Sequence, residues 1–417
     1  MASEFHKGKA PLFAATIGVA CGASPVPFNV FPLVIGPLHN EFGWSFAALS
    51  AGVTVYGILG ALLAPAIGRL VDRYGVRPVA LTSLGLFGIA FSLFAFLPNN
   101  IGAYFLLWAL VGVVGIGSTP VSWSRAISMW FFANRGLALG IMLLGTSLSA
   151  MVIPPIGNAV LQISDWRMVF PAIALMPLLV ALPLALVLFR EPGPEEMTAQ
   201  LTDEKGDLAG MPFAEALRDR RFWILFGSVV VIALAYGGAH IHMVQIVTLK
   251  GYSATFAASV MSVVALGIFA GRIIVGMLFD RIWAPAAAFP VLVMPILACI
   301  LLIGDGTGSA AIYLAALLLG FAAGAESDII AFMAARYFGM RAYGRIYGAL
   351  YMPFGIFASV SPLLYGYVRD TTGSYDIILM AAACLFATGA TALLFMGRYP
   401  DYALKDGPKA TQQGLTA

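Results

Sequence analysis

Four charged residues lie inside long apolar segments, well away from the segment ends: Arg125, Arg272, Glu326 and Asp328. If these segments cross a membrane, each such charge costs at least ~2.5–3.5 kcal/mol on insertion scales and needs a functional reason. A guanidinium is charged at any physiological pH and can hold a carboxylate with two parallel hydrogen bonds. A buried carboxyl group can exchange a proton. The four residues therefore predict binding of an organic anion that is linked to proton transfer.

Arg272 is the main candidate for the anion-binding residue. It precedes Asp280, at the end of its apolar segment, by eight residues. In a helix this separation spans roughly 12 Å, which places the guanidinium near the centre of a bilayer. The alternative is an arginine that is fixed in a structural salt bridge.

Glu326 and Asp328 lie at about the same depth, roughly 13–17 Å from the segment end near Tyr337. One of them could pair with Arg272 while the site is empty. A substrate anion would displace that acid, which would then take up a proton because it is poorly solvated. Residues two apart point to nearly opposite sides of a helix, so we expect only one acid to face the site, and the sequence leaves both open. A static ion pair is the alternative.

Further polar residues in the apolar segments are weaker candidates for the substrate site. Arg125 is either a second anion contact or a structural residue that snorkels. Asn29, Tyr236, Tyr347 and Tyr351 can hydrogen-bond a carboxylate or a hydroxyl, with packing between helices as the alternative. Nothing in the sequence predicts a catalytic triad, a phosphate loop, a metal site or a cofactor, and we expect no enzyme activity.

A six-residue motif, called the loop phrase below, occurs twice, and the two copies are separated by half the length of the chain. The first copy is Gly68-Arg69-Leu70-Val71-Asp72-Arg73, and 208 residues later Gly276-Met277-Leu278-Phe279-Asp280-Arg281 repeats its Gly-x-Leu-x-Asp-Arg pattern. Each copy follows a long apolar run. Each aspartate can accept hydrogen bonds from the N-terminus of a neighbouring helix, which would stabilise one of two conformations. The residues predicted to form this latch are Gly68, Asp72, Arg73, Gly75, Arg77, Asp280 and Arg281.

The composition is that of a membrane protein: 60% of the 417 residues are apolar and only 10% are charged. Twelve apolar runs are long enough to cross a bilayer. We expect a six-helix bundle in 1–190, a cytoplasmic linker in 191–221, a second bundle in 222–400 and a tail in 401–417. The twelve runs are 11–36, 44–67, 78–98, 102–131, 136–162, 167–190, 222–247, 254–279, 285–303, 310–336, 344–368 and 375–397.

The basic residues predict the orientation. With the N-terminus inside, 18 of the 23 Lys and Arg residues fall in inner loops and tails and three in outer loops. Both termini and the linker are therefore expected in the cytoplasm. We expect a multi-pass monomer in a bacterial inner (cell) membrane. The net charge of +3 is too small to indicate a nucleic-acid partner. We expect the lipid bilayer, a small carboxylate and protons as partners.

The loop phrase resembles the signature of the major facilitator superfamily, and the resemblance extends over nearly the whole chain. The segment 130–140, Trp-Phe-Phe-Ala-Asn-Arg-Gly-Leu-Ala-Leu-Gly, followed by Gly145, is similar to monocarboxylate transporters and oxalate/formate exchangers. The tetrapeptide at 42–45 and the tripeptide at 165–167 also resemble that branch. The resemblance implies an all-α fold of twelve transmembrane helices in two pseudo-symmetric bundles.

Two departures from that branch limit the substrate. Oxalate exchangers carry a lysine in the eleventh helix, where this chain has Leu350. With one cation fewer, the site favours a monoanion, unless Arg125 compensates. Animal monocarboxylate transporters carry an aspartate one turn before the arginine, where this chain has Ile268. Proton coupling would then depend on Glu326 or Asp328.

These observations predict a secondary transporter that moves a small organic monocarboxylate with a proton by alternating access. An organic anion exchanger without proton coupling is the first alternative. A multidrug exporter is the second, suggested by a fifth helix rich in Gly and Pro, although a central arginine opposes a cationic ligand. A membrane receptor that does not transport is a further alternative.

Overall fold

The computed structural model describes residues 2–193, 195–197, 208–304 and 306–400, and these form helices and their connections. Part of the predicted linker and the whole of the predicted tail therefore lie outside the described residues. The helices are α1 Ala2–Ala20, α2 Val26–Phe42, α3 Phe46–Tyr74, α4 Val76–Ser92, α5 Ile101–Gly115, α6 Pro120–Trp130, α7 Arg135–Ile163, α8 Trp166–Leu175, α9 Leu182–Leu188, α10 Phe213–Ala216, α11 Arg220–Ile241, α12 Met243–Leu249, α13 Ala254–Phe279, α14 Ala284–Leu302, α15 Ser309–Phe338, α16 Tyr343–Thr372 and α17 Asp376–Leu394.

Eleven helices in the described ranges are long and apolar enough to cross a bilayer. They correspond to the second to twelfth predicted spans, and this confirms an all-α membrane protein. Some of these spans include a short segment that is helical but not α-helical. Leu93–Phe96 follows α4, Ile116–Ser118 joins α5 to α6, and Met176–Ala181 joins α8 to α9. Each of these segments lies within a span that is long enough to cross the bilayer.

The first predicted span is split in two. Helix α1 ends at Ala20 and α2 begins at Val26, with Pro25 at its N-cap and Pro27 in its first turn. Proline lacks an amide N–H and clashes with the preceding turn, so these prolines favour an interruption of the helix. The first span is thus interrupted, and within the break the backbone N–H of Ala23 donates to Ser118 Oγ while its carbonyl oxygen accepts from the hydroxyl of Tyr56.

Polar caps define where several helices start. The side chains of Ser45, Asn100 and Ser253 accept hydrogen bonds from backbone amides three residues ahead, at the beginnings of α3, α5 and α13. Gly75 directly follows the last residue of α3 and has a φ of +85°. A side chain at this φ would be strained, so glycine allows the sharp turn into α4.

The helices form two pseudo-symmetric bundles, α1–α9 and α11–α17. Two helix pairs make the extensive contacts between the bundles: α3 packs on α16, and α7 packs on α13. These are the helices that carry the repeated phrase and the helices that face it. The interface between the bundles is therefore built around the repeat. The exact boundaries of the two halves remain a prediction.

Candidate functional site

The Arg272 side chain lies in α13 on the side that meets the first bundle. The residue is only 7% exposed. Its Nη2 donates a hydrogen bond to Thr146 Oγ1 on α7, at 3.1 Å. Within the described part of the chain, its Nε and Nη1 have no hydrogen-bond acceptor. A buried guanidinium with unfilled donors is costly to leave alone, so this one is ready to receive an acceptor.

Asp328, on α15, is the carboxylate beside Arg272. Its Oδ1 lies 3.7 Å from Arg272 Nη1, which is an ion pair but too long for a hydrogen bond. The residue is fully buried, and neither carboxylate oxygen finds a hydrogen-bond donor among the described residues. A Cβ on Gly140 of α7 would lie 3.5 Å from Asp328 Oδ2, so this acid sits at the junction of the two bundles. The two side chains are therefore only loosely paired, and both keep hydrogen-bonding atoms that have no partner among the described residues.

Glu326, two residues earlier on α15, is 5% exposed. Its Oε1 also lacks a hydrogen-bond partner within the described ranges. Tyr236 and Tyr351 each interact electrostatically with Glu326 and with Arg272.

Asp328 is thus the acid of α15 that pairs with Arg272. Glu326 is a second buried acid on the same helix, which packs on α13 and α7 and also on α11 and α16. Residues two apart point to nearly opposite sides of a helix, and this geometry fits the difference between the two acids.

Three predicted tyrosines join the same group. Tyr236 on α11 and Tyr347 and Tyr351 on α16 all interact electrostatically with Arg272. The hydroxyl of Tyr347 is buried and has no hydrogen-bond partner in the described structure. The arrangement around Arg272 combines one cation, the carboxylate of Asp328 and three phenols, and several of their polar atoms have no partner among the described residues. Such a set can bind an anion and hold or release a proton.

Sequence reasoning missed two contributors from the first bundle. Thr146 follows Gly145 of the quoted motif, and only the approach of α7 to α13 brings its hydroxyl to Arg272. Ser24, in the break between α1 and α2, lies at the hydroxyl of Tyr351. A lone Thr or Ser in an apolar helix carries no signal of this kind in sequence. The interruption between α1 and α2 could have pointed to Ser24, because interrupted helices often line substrate sites in transporters.

Arg125 and Asn29 make other contacts. The Nε of Arg125 lies 3.2 Å from Asp72 Oδ1, and its Nη1 lies 3.3 Å from Glu191 Oε1. These contacts favour the structural reading of Arg125. The amide Nδ2 of Asn29 donates to the carbonyl oxygen of Pro25, 2.9 Å away, and so supports the first turn of α2.

The repeated phrase forms two related contacts at one end of the bundle, here called the motif end. Asp72 accepts from the backbone N–H groups of Gly344 at 2.8 Å and Arg345 at 3.0 Å, at the start of α16. Asp280 accepts from Gly136 at 2.6 Å and Leu137 at 2.9 Å, at the start of α7. In each case a carboxylate from one bundle caps a helix N-terminus of the other, where the helix dipole favours negative charge.

Burial raises the pKa of Asp280 to about 6, and the two backbone hydrogen bonds act against this rise. At pH 7 the carboxyl group is therefore still mainly ionised. The charge keeps the cap between α13 and α7 in place at neutral pH. The Asp72 cap differs because it has the additional ion pair with Arg125.

Further polar contacts surround the cap made by Asp72. Glu191 Oε2 accepts from the backbone N–H of Val76 at 2.9 Å, at the start of α4. Arg77 donates through Nη2 to the carbonyl oxygen of Leu186, at 2.8 Å. Arg73 lies exposed over the ring of Tyr74.

Arg281, in the second copy, is exposed directly after Asp280. The sequence did not single out Glu191, because this residue lies in the polar stretch 191–221 that is predicted to be a linker.

Glycines allow the two bundles to meet closely at the motif end. A Cβ on Gly68 would overlap the carbonyl oxygen of Gly344, and one on Gly276 would lie 2.6 Å from the carbonyl oxygen of Gly136. Real Cβ atoms essentially never approach so closely. The backbones are in direct contact, so the structure is closed at the motif end, just beyond the Arg272 group.

We expect Gly68→Ala to open the motif end. The new methyl group would lie 2.8 Å from the backbone nitrogen of Arg345, so α3 and α16 must separate. Overpacking of this kind costs about 1–3 kcal/mol, enough to shift a two-state population about 5–150-fold. The test uses a protein whose native cysteines are replaced by serine and which carries spin labels at the exposed positions 69 and 341. Electron paramagnetic resonance should then report longer distances between the labels in Gly68→Ala than in the parent.

Gly36→Ala is the matched control for this test. A Cβ at Gly36 meets no atom within 4 Å, so its label distances should equal those of the parent. An unchanged distance distribution in Gly68→Ala would contradict the closed interface.

Comparison with known proteins supports the same fold. The sequence profile described as Major Facilitator Superfamily matches residues 13–362. Monocarboxylate transporter 13 of Bos taurus is 25% identical over 403 residues, which are 92% of this chain and 90% of that protein. The oxalate:formate antiporter of Oxalobacter formigenes is 26% identical over 221 residues, or 51% of each chain. These matches confirm the resemblance drawn from the loop phrase and the segment that enters α7.

A solved structure gives an independent comparison of the fold. The E. coli fucose:proton symporter superposes with a TM-score of 0.68 at 14% sequence identity, covering 94% of this chain and 98% of that one. At this identity the likeness concerns the fold alone. It agrees with the fold of two helical bundles described above.

Proposed function

Because this chain belongs to the Major Facilitator Superfamily of membrane transporters, we propose that it carries a small organic monocarboxylate across the membrane together with a proton. The observation that carries the proposal is the loose pair of Arg272 and Asp328. Both partners are buried at the junction of the two bundles, and both keep hydrogen-bonding atoms that have no partner in the described ranges of the chain. Such a pair is costly to maintain, and a ligand that completes it is favoured.

Substrate binding would exchange the partner of Arg272. The two oxygens of a carboxylate match the guanidinium fork, and they gain two charge-assisted hydrogen bonds that Asp328 does not make at 3.7 Å. Tyr347, whose hydroxyl has no partner among the described residues, can donate to the same anion. Once its cation is taken by the substrate, Asp328 is a buried carboxylate without compensation, and protonation removes this cost.

The cycle would then be electroneutral, because one anion and one proton move together. Binding neutralises the site, which allows the bundles to rock about the substrate. The motif end would open by release of the Asp72 and Asp280 caps, while the opposite end closes. We take the motif end to be cytoplasmic, since 18 of the 23 Lys and Arg residues fall on that side or in the tails.

A monoanion fits the charge count better than a dianion. Arg272 is the cation of the group, Arg125 is already engaged by Asp72 and Glu191, and Leu350 stands where oxalate exchangers have a lysine. A second carboxylate on the substrate would face Glu326 and Asp328. The name of the bovine relative, a monocarboxylate transporter, supports the same class.

Anion exchange without protons is the second candidate. It is favoured by the ion pair itself: if Asp328 stays ionised when the substrate binds, no proton accompanies the anion, and exchange of one anion for another keeps the whole cycle electroneutral. The name of the oxalate:formate antiporter agrees with this mode.

Uptake into liposomes distinguishes the two functions. Purified protein is reconstituted, and uptake of labelled lactate, pyruvate and phenylacetate is measured with and without an inward proton gradient. Symport predicts accumulation that rises with the gradient, up to about tenfold for each pH unit if one proton accompanies one anion. Exchange that depends on internal substrate and ignores the gradient would reject symport and support the antiporter.

A further inference from the structure

Phe132, in the connection between α6 and α7, contacts the second bundle at the motif end. The guanidinium carbon of Arg336, on α15, lies 5.6 Å from the centre of the Phe132 ring. The guanidinium carbon of Arg135, at the start of α7, lies 5.4 Å from the same centre. At both distances a cation is attracted to the face of an aromatic ring. One ring thus contacts a cation from each bundle.

The two arginines have no acidic partner that could replace this ring. Across the described residues, no carboxylate oxygen lies within 4.0 Å of either guanidinium. Arg135 is only 1% exposed, and it donates to the backbone carbonyl oxygens of Phe131 and Ser128 in its own bundle. The Nε of Arg336 is buried without an acceptor in the described structure, and its other aromatic contact, Tyr399, belongs to the second bundle. Because the two cations repel each other, loss of the ring would favour separation of the bundles.

Glu4, near the start of α1, fixes the turn that carries Phe132. Its Oε1 accepts from the backbone N–H groups of Phe132 at 3.2 Å and Ala133 at 3.1 Å. Its Oε2 accepts from the backbone N–H of Asn134 at 3.2 Å and from the side-chain Nδ2 of the same residue at 2.9 Å. Hydrogen bonds to a carboxylate are stronger than those between neutral groups, so four of them hold this turn firmly. The place of the ring therefore depends on the first helix of the chain.

We propose that Phe132 is a third latch residue of the closed motif end, besides Asp72 and Asp280, and that Glu4 is the positioning residue that holds it against Arg336. The contact forms only while the bundles meet, so it stabilises the closed state relative to the open state. Unlike the two aspartate caps, it joins side chains and uses an uncharged ring. This latch would act on any substrate, so it does not depend on the monocarboxylate assignment.

Alkylation of a buried cysteine measures how often the motif end opens. Ser124 is fully buried on α6, which packs on α16, and it lies beside the hydroxyl of Tyr343 on that helix. Ser124→Cys therefore places a thiol between the bundles, in a protein whose native cysteines are replaced by serine. The purified full-length protein is treated with N-ethylmaleimide. When opening and closing are fast, the rate of reaction is proportional to the open fraction, even where that fraction is small.

Phe132→Leu keeps an apolar side chain but removes the ring, and we expect the alkylation rate to rise at least about fivefold. Phe132→Tyr keeps the ring, so the rate should stay within about twofold of the parent. The control thiol is introduced by Ser83→Cys in α4, where Ser83 is buried and donates to the carbonyl oxygen of Val114 within the first bundle. Its rate in Phe132→Leu should equal that in the parent.

Glu4→Ala tests the positioning role. It should raise the rate at the Ser124→Cys thiol about threefold or more, because the turn at 132–134 loses its acceptor. If Glu4 acts through the ring, the same change should add nothing to Phe132→Leu, since the effects of residues that act as a unit are not additive. An equal increase in both backgrounds would overturn this role.

Three results would overturn the latch. One is an unchanged rate at the Ser124→Cys thiol in Phe132→Leu, and another is an equal rise in Phe132→Tyr. The third is a rise at both thiols, because the ring would then support packing in general. If Phe132→Leu does not fold, Arg336→Gln removes the cation and keeps the ring, and the same selective rise is expected. No substrate is present in these reactions, so their failure and a failure of transport in liposomes are separate results.

Discussion

Replacing Arg272 by lysine should reduce carboxylate uptake by about thirtyfold or more, the factor expected for losing at least 2 kcal/mol at a buried charge pair. Lysine keeps the positive charge, but it lacks the planar fork that binds both oxygens of a carboxylate. It also cannot reach Thr146 and the substrate in the same geometry as Arg272. Initial uptake rates of labelled lactate, pyruvate and phenylacetate in liposomes measure the effect.

The control for Arg272→Lys is Arg218→Lys. Arg218 is exposed before α11, and the same substitution there should leave uptake within twofold of the parent, as expected for a surface site (about ±0.5 kcal/mol). Correct folding of the Arg272 variant is checked by its elution from gel filtration and its thermal unfolding. Near-normal uptake by a folded Arg272→Lys protein would remove this residue from the substrate site.

Asp328→Asn should convert proton-driven accumulation into exchange. Asparagine has no proton to exchange, and it cannot compensate Arg272 when the site is empty. The empty carrier would then hold an unpaired buried cation and would not reorient, whereas the loaded carrier, with the anion on Arg272, would. With a pH gradient of one unit, we expect the accumulation ratio to fall from about ten towards one, with exchange of labelled for unlabelled substrate retained.

The matched variant for this test is Glu326→Gln, two residues away on the same helix. Both residues are buried carboxylates, but only Asp328 lies within 4 Å of the guanidinium of Arg272. Glu326→Gln should still accumulate any substrate that it binds. If the two variants behave in the reverse way, Glu326 is the proton acceptor. If both still accumulate substrate, the proton is carried by a group outside α15.

Much of the positioning along the helices could be predicted. Because an α-helix rises by a constant 1.5 Å per residue, the spacing of Arg272 from Asp280 predicts its depth without a structure. The loop phrase likewise predicts helix-capping by Asp72 and Asp280, since a short carboxylate after a glycine-rich helix end suits an exposed helix N-terminus. The prolines of the first span predict its interruption.

The partners of these groups could not be predicted in the same way. Arg125 was a candidate anion contact because its depth resembles that of Arg272, but its partners Asp72 and Glu191 lie 53 and 66 residues away in the chain. Thr146 reaches Arg272 only because glycines let α7 approach α13. Depth along a helix is a local property, whereas the choice of partner depends on which helices pack together.

The sequence by itself determined the membrane environment, the duplicated loop and the few charges that lie deep in apolar segments, because length, hydropathy and helical rise act locally. Only the tertiary structure decided which carboxylate pairs with Arg272, and that Arg125 belongs to the closed motif end. These outcomes depend on contacts between helices far apart in the chain, where backbone approach at glycines decides which side chains meet.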